Sequence, residues 1–86
     1  MYQILYEKRV YKDLDRIPAK DLDRIHQTIL SLESNPRKAG TKKLQSFTNR
    51  YRIRQGDYRI VFTIDEATKA VIIVLVRHRK EVYRAL

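Results

Sequence analysis

Between positions 51 and 62 the chain reads Tyr51-Arg52-Ile53-Arg54-Gln55-Gly56-Asp57-Tyr58-Arg59-Ile60-Val61-Phe62, which is two alternating segments around a Gly-Asp pair. Successive side chains of a strand point to opposite faces, so this alternation predicts a β-hairpin. If the apolar residues share one face, Ile53 pairs with Ile60, and residues 55–58 form the connection. The same register places Arg54 directly opposite Arg59.

Three arginines of this hairpin, Arg52, Arg54 and Arg59, fall on the face opposite the apolar residues. Like charges on opposed strand positions destabilise a sheet, so folding alone does not account for them. Residues two apart on a strand are separated by about 6–7 Å, which lets the guanidinium groups reach one phosphate or two consecutive ones. The alternative interpretation is a solvated outer face of the sheet.

Positive charge is concentrated in the part of the chain that contains the hairpin. The net charge is +9, yet residues 1–35 carry six basic and six acidic side chains. Residues 36–60 carry eight basic residues against Asp57 alone, and residues 77–86 contribute a further +3. This distribution favours a polyanion, and most simply a nucleic acid, as the partner of the sheet half.

The length and composition predict the general class of protein. The 86 residues predict a single small domain, residues 1–86. There is no Cys, which removes disulfides and thiolate metal sites and fits a reducing compartment. The longest apolar run, residues 70–76, is too short to cross a bilayer, and the first residues lack a signal-peptide pattern. We expect a soluble cytoplasmic protein that does not associate with a membrane.

The acidic residues do not predict a metal site. Asp13, Asp15, Asp21 and Asp23 are spaced by two on helical segments, which distributes them around the helices, and neighbouring basic residues neutralise them. The two glycines, Gly40 and Gly56, do not form a phosphate-binding glycine loop. The sequence therefore predicts neither a metal nor a cofactor.

The hydrophobic periodicity predicts an α+β fold. Apolar residues at intervals of three and four mark two helices that Pro18 separates. Residues 36–49 read as an exposed basic loop anchored by Leu44, and the short tail 80–86 allows one helical turn. The predicted elements are a strand over 2–6, helices over 8–17 and from Pro18 to about 34, and strands over 50–55, 58–64 and 71–76. The expected architecture is an N-terminal strand, an αα-hairpin and three antiparallel strands, with the helices on one face of a small twisted sheet.

The hairpin, the apolar strand after it and the segment Arg77-His78-Arg79-Lys80-Glu81-Val82-Tyr83-Arg84 together resemble a RelE-type toxin of the RelE/ParE superfamily. The resemblance covers essentially the whole chain. It implies a bacterial or archaeal toxin that enters the ribosomal A site and cleaves mRNA there. It also implies a cognate antitoxin protein that wraps and neutralises the toxin. One departure is Arg77, because the family pattern often has a small residue at that position.

Such cleavage uses the ribose 2′-hydroxyl to attack the adjacent 3′-phosphate, and it needs a proton acceptor, charge neutralisation and help for the leaving oxygen. Arg52, Arg54 and Arg59 suit charge neutralisation, because planar guanidinium groups match phosphate oxygens. By resemblance, Arg79 lies near the leaving group, and Tyr83 is a proton acceptor or orients the substrate. The alternatives without a catalytic role are that Arg79 is a solvated surface charge and that the Tyr83 ring only packs against the sheet.

The base is left open between Tyr83 and His78. Relatives often have lysines at positions 52 and 54, and an arginine cannot be deprotonated to act as a base. Nearby positive charge favours the phenolate form of Tyr83, whereas His78 falls on the strand face opposite Arg77 and Arg79. Further RNA contacts are expected from basic residues around the hairpin and the last strand, namely Lys42, Lys43, Arg50, Arg77 and His78.

Two other functions remain possible from the sequence. One is a ParE-like member of the same fold that poisons DNA gyrase and cleaves nothing. The other is a non-catalytic module that grips RNA or the ribosome through the same basic face. The hairpin arginines and the terminal Arg79-Lys80-Glu81-Val82-Tyr83 segment favour the nuclease.

Overall fold

The structure of the protein is a computed structural model that describes residues 1–45 and 49–85, apart from the side chains of residues 83 and 85. Within these residues the strands form one mixed sheet in the order β1-β5-β4-β3-β2, which confirms the α+β class. No helix in the described ranges is both long and apolar enough to cross a membrane. The elements are β1 (Gln3–Tyr6), α1 (Lys8–Asp15), α2 (Ala19–Ser31), β2 (Lys42–Lys43), β3 (Arg50–Gln55), β4 (Tyr58–Asp65), β5 (Ala70–His78) and α3 (Val82–Ala85).

Strands β3 and β4 form the predicted hairpin with the predicted register. Ile53 lies opposite Ile60, and Arg54 lies opposite Arg59. The pairing continues to the ends of both strands, so the connection is a two-residue turn of Gly56 and Asp57 instead of the four-residue loop that we expected. Gly56 has a φ of +59°, which a glycine adopts without steric cost.

Strand β5 lies inside the sheet, parallel to β1 on one side and antiparallel to β4 on the other. Phe62 of β4 pairs with Ile73, whereas Val61 pairs with Leu75, so Val74 is an extra residue in β5. This β-bulge turns both Val74 and Leu75 to the same face of the sheet, where both are fully buried. From Val76 onward, each β5 side chain is therefore on the face opposite to the one that strict alternation would give it.

Two apolar clusters cover the two faces of the sheet. Helices α1 and α2 pack on one face, because their apolar residues recur every three or four positions and form a stripe that needs cover. The smaller cluster on the other face is closed by Val82 at the start of α3. The larger cluster contains Val10, Ile17, Ile25, Ile29, Leu32, Ile53, Ile60, Phe62, Ile64, Val71, Ile73 and Val76; the smaller one contains Val61, Val74, Leu75 and Val82.

Helix α1 also lies along the edge of β5 beyond the end of β1. The Glu7 backbone N–H donates to the Ile73 carbonyl at 2.9 Å, and the Arg9 Nε donates to the Val74 carbonyl at 2.8 Å. Further along, the Val76 N–H donates to Asp13 Oδ2 at 3.0 Å. The helix therefore satisfies polar groups of β5 that have no strand beside them.

A second prediction about the fold was also wrong. We expected residues 36–49 to form only a loop, but Lys42 and Lys43 form a fifth strand, β2, antiparallel to β3. The Leu44 N–H extends this pairing by donating to the Arg50 carbonyl at 2.8 Å. Propensity did not indicate a strand here, because two exposed lysines suit an edge strand but do not alternate with apolar residues. Leu44 packs against the smaller cluster, as the predicted anchor of this segment.

Candidate functional site

Several arginines project from the sheet face opposite α1 and α2. The hairpin register places Arg52 and Arg54 on this face together with Arg59, and the bulge in β5 brings Arg77 directly opposite Arg59. We call the sheet side that carries these four residues the arginine face. Cβ atoms of opposed residues are about 4.5–5.5 Å apart, so the face gathers cations that repel one another and is suited to a polyanion.

Arg59 is held at the hairpin turn. Its Nη1 donates to the Gly56 carbonyl at 3.1 Å and to the Tyr58 carbonyl at 3.0 Å. These two bonds to carbonyl oxygens fix the orientation of the guanidinium at the Gly56–Asp57 turn.

Arg79 meets the same turn from the end of β5. Its backbone N–H donates to the Asp57 carbonyl at 2.7 Å, and its Nε lies 3.7 Å from Asp57 Oδ1. The side chain is 57% exposed, so this ion pair is weak and leaves the guanidinium accessible. Arg59 and Arg79 thus contact one turn, although they come from different strands.

Arg52 and Arg54 line an open cleft at the free edge of β3. Strand β2 pairs only with Tyr51 and Arg52, so the rest of β3 extends beyond it. Arg52 Nη1 is buried and has no hydrogen-bond partner among the described residues. The cleft, which we call the edge cleft, has a volume of about 330 Å³ and is lined by Thr28, Lys38, Ala39, Gly40, Lys42, Arg52, Ile53, Arg54 and Gln55.

The other predicted RNA contacts are divided between two places. Lys42 and Lys43 are exposed on β2, opposite Arg52 and Tyr51, next to the edge cleft. Arg50 begins β3 and is half-buried. These residues extend the basic surface along the hairpin, and their contact with RNA stays a prediction.

Arg77 and His78 are engaged by other parts of the protein. Arg77 Nε donates to Asp13 Oδ1 at 2.7 Å, and the Arg77 side chain is 27% exposed. His78 pairs with Tyr58, and their rings meet edge to face with centroids 5.7 Å apart. The His78 Nδ1 accepts the Lys80 N–H at 3.2 Å. As predicted, His78 lies on the face opposite Arg77, which separates it from the arginine face.

The predicted role of Tyr83 concerns a side chain that lies outside the described residues. Its backbone belongs to α3, whose first residue, Val82, is buried against Val61 and Leu75. Those two residues are on the arginine face of the sheet. The helix that carries Tyr83 is therefore anchored on the same side as the predicted catalytic arginines.

Sequence analysis missed the role of Asp13, which we had interpreted as one of several scattered acidic residues. Its side chain is only 3% exposed, and its two carboxylate oxygens accept from the Val76 N–H and from Arg77. A signal was present in the sequence, because Asp13 is three residues after Val10 and four before Ile17. It therefore shares the buried stripe of α1.

Comparison with known sequences finds toxins over nearly the full chain. A family model described as the ParE toxin of the type II toxin–antitoxin system parDE matches residues 4–83. Toxin RelE3 of Methanocaldococcus jannaschii is 34% identical over 85 residues, which is 94% of each chain. Toxin RelE of Mycobacterium tuberculosis is 27% identical over 84 residues, covering 96% of this chain and 87% of the relative.

Comparison with solved structures gives the same picture of the fold. The RelB–RelE antitoxin–toxin complex from Methanococcus jannaschii matches with a TM-score of 0.75 and 32% identity, over 95% of this chain and 98% of the matched one. The isolated RelE toxin of Escherichia coli matches with a TM-score of 0.79 over the full length of both chains. At 18% identity, the second match concerns the fold alone.

Proposed function

Because the chain belongs to the RelE/ParE superfamily of type II toxin–antitoxin toxins, we propose that it is a ribosome-dependent endoribonuclease that cleaves mRNA in the ribosomal A site. The observation that carries the proposal is the meeting of Arg59 and Arg79 at the Gly56–Asp57 turn, beside Arg54. These three residues, from β3, from β4 and from the end of β5, supply positive charge to one place.

In the proposed reaction the 2′-oxygen attacks the adjacent phosphorus while the bond from phosphorus to the 5′-oxygen breaks. The products are a cyclic phosphate and a free 5′-hydroxyl. Arg52, Arg54 and Arg59 stabilise the negative charge that develops on the phosphorane oxygens. Arg79 stabilises the negative charge on the leaving 5′-oxygen, which takes a proton from solvent water.

Tyr83 is the proposed acceptor of the 2′-proton. The proposal is supported by the position of α3, which Val82 anchors on the arginine face. His78 is the less suitable candidate, because its ring packs on Tyr58 on the other side of the sheet. An arginine-rich site without a strong base needs a substrate that is already aligned, which is why we propose that the ribosome supplies the geometry.

The test is cleavage of a defined mRNA on programmed ribosomes, compared with the same RNA free in buffer. We expect cuts only on ribosomes, and an Arg79→Ala/Tyr83→Ala double variant is expected to lose at least about 100-fold in rate while still binding ribosomes. Rapid specific cleavage of free RNA would contradict ribosome dependence. Binding without any cleavage by the unaltered protein would instead identify a non-catalytic module.

A second candidate is inhibition of DNA gyrase, because the family model that matches the chain is described as a ParE toxin. A supercoiling assay with purified gyrase separates the two candidates. We expect supercoiling to continue at protein concentrations that abolish translation. Inhibition of supercoiling together with intact ribosomal mRNA would favour the gyrase inhibitor.

The proposed partners are the ribosome with its mRNA and a cognate antitoxin protein. Relatives with this fold were crystallised as RelB–RelE complexes, which supports a protein antitoxin for this chain. The net charge of +9 also favours an acidic partner surface. No metal or cofactor takes part in the proposed reaction.

A further inference from the structure

We propose that the edge cleft is a second phosphate-binding site, which holds an RNA backbone phosphate next to the one that reacts. This inference rests on the proposed RNA-binding function and assigns two neighbouring phosphates of the RNA to two different parts of the basic surface. Arg59 and Arg79 at the hairpin turn serve the reacting phosphate together with Arg52 and Arg54, which the two places share. The edge cleft, with Lys38 and Lys42, serves its neighbour.

The described lining of the cleft is cationic. Lys38, Lys42, Arg52 and Arg54 all line it, and none of the described lining residues is Asp or Glu. They come from the loop after α2, from β2 and from β3, so the fold brings them together from separate parts of the chain. A volume of about 330 Å³ lies within the range of small-ligand sites in proteins.

One buried polar atom of the cleft lining, Nη1 of Arg52, has no hydrogen-bond partner among the described residues. Buried polar groups in proteins are nearly always satisfied, and an unpaired one costs stability. A buried guanidinium donor beside three further cations is suited to an anion, and its planar geometry matches phosphate oxygens.

The position of the cleft favours a polynucleotide over a free anion. Arg54 lines the cleft and also pairs across the hairpin with Arg59, which is oriented at the turn. Arg54 therefore lies between the two places, and a single backbone can cross it. Among the described residues, the cleft lining contains no His, Asp or Glu, and its four cations are suited to binding a phosphate.

The two glycines allow a direct test, because one is at each place. Gly40 lines the edge cleft, Gly56 is in the hairpin turn, and the chain has no other glycine. Selective ¹⁵N-glycine labelling therefore gives two amide NMR signals that report separately on the two places. The probes are inorganic phosphate and a short RNA with 2′-deoxy sugar at the cleavage position, which cannot be cut.

We expect inorganic phosphate to shift the Gly40 signal and the uncleavable RNA to shift both signals. In a Lys38→Ala/Lys42→Ala variant the RNA should shift only Gly56. RNA binding by this variant should also depend less steeply on salt. The slope of log K against log salt should decrease in magnitude by about 0.7, which corresponds to one lost phosphate contact. A Lys38→Arg/Lys42→Arg variant should restore the Gly40 shift, which a purely structural role would not predict.

The matched control is Lys12→Ala/Lys20→Ala, which removes the same charge from exposed positions of α1 and α2. It should leave both glycine shifts unchanged. Thermal unfolding checks that each variant is folded, because Lys38 Nζ donates to Ser31 Oγ at 2.9 Å and the alanine variant loses this bond.

In the ribosome assay, the Lys38→Ala/Lys42→Ala variant should raise KM several-fold and leave kcat unchanged, while the control variant changes neither.

Three outcomes would overturn the inference. An RNA that moves Gly56 alone in the unaltered protein would show that the cleft does not bind phosphate, and so would the absence of any shift. A larger Gly40 shift with an acidic peptide than with RNA would assign the cleft to a protein partner. If both glycine signals shift but the unaltered protein does not cleave mRNA on ribosomes, the proposed nuclease function is rejected and the cleft site is retained.

Discussion

Asp13 connects the first helix to the end of β5, just before the segment that carries Arg79. Its carboxylate accepts the Val76 N–H at 3.0 Å and the Arg77 Nε at 2.7 Å, and both groups are at least partly shielded from water. The ion pair with Asp13 is the physical reason that this chain tolerates an arginine opposite Arg59.

Replacing Asp13 with alanine should destabilise the protein by about 3 kcal/mol, because the Val76 N–H loses its partner and Arg77 loses its counter-ion. Urea unfolding monitored by circular dichroism measures this change. The control is Asp15→Ala, two residues further on α1 and exposed, for which we expect a change within about 0.5 kcal/mol. Equal effects of the two substitutions would contradict the role of Asp13.

At the scale of the element, the β3–β4 hairpin both orders the sheet and orients the candidate site. Its turn has a positive φ at Gly56, and Lys69 is the only non-glycine residue with a positive φ among those described. Positive φ at the first turn residue alone is the pattern of a type II′ turn, whose twist matches that of the flanking strands. The carbonyls of this turn then hold Arg59 and Arg79.

Substituting Gly56 by alanine should cost about 1–2 kcal/mol, because a Cβ is disfavoured at a φ of +59°. No heavy atom lies within 4 Å of that added Cβ, so the cost arises from the backbone and not from a clash. Urea unfolding measures stability, and cleavage on ribosomes should decline as Arg79 loses its fixed position. Gly56→Asn is the control, since asparagine tolerates this conformation better than alanine, and an alanine variant as stable as the unaltered protein would contradict the prediction.

At the scale of the whole molecule, Glu66 joins three distant segments. It accepts from the Tyr2 hydroxyl at 2.8 Å and from Lys69 Nζ at 3.1 Å, and it forms an ion pair with Arg37. Arg37 also stacks over the Tyr51 ring, 5.6 Å from its centroid. The start of the chain, the loop after α2 and the β4–β5 turn are thereby tied together on the surface.

The Arg37 contact, followed by those of Tyr2 and Lys69, lowers the pKa of the Glu66 carboxyl from its ordinary 4.5 to about 2. A pKa that is lower in the folded state adds stability above pH 4.5, and this stability is lost as the pH falls from 4.5 towards 2. Glu66→Gln should therefore lower the urea midpoint at pH 6 and have a smaller effect near pH 2.5. Asp23→Asn, at an exposed position of α2, is the control, and a Glu66→Gln effect that does not vary with pH would contradict the assignment.

Sequence alone predicted the elements that carry a strong alternation of apolar and polar residues. The β3–β4 register followed from Ile53 and Ile60, because shifting the pairing by one residue would bury the arginines. The two helices followed from stripes of period three to four, and Pro18 marked the break between them. Strand β2 was not predicted, because its two lysines carry no such pattern and it exists only through pairing with β3.

Of the candidate site, the sequence by itself determined only the hairpin, whose register places Arg52, Arg54 and Arg59 on one face. The β5 run is apolar throughout, so no polar residue marks the bulge at Val74 that turns Arg77 to that same face. The bulge is stabilised by contacts remote in sequence, since Val74 and Leu75 are both buried with Val61 and Val82. The Asp13–Arg77 ion pair and the edge cleft likewise arise between distant segments, and only tertiary packing decides which of them meet.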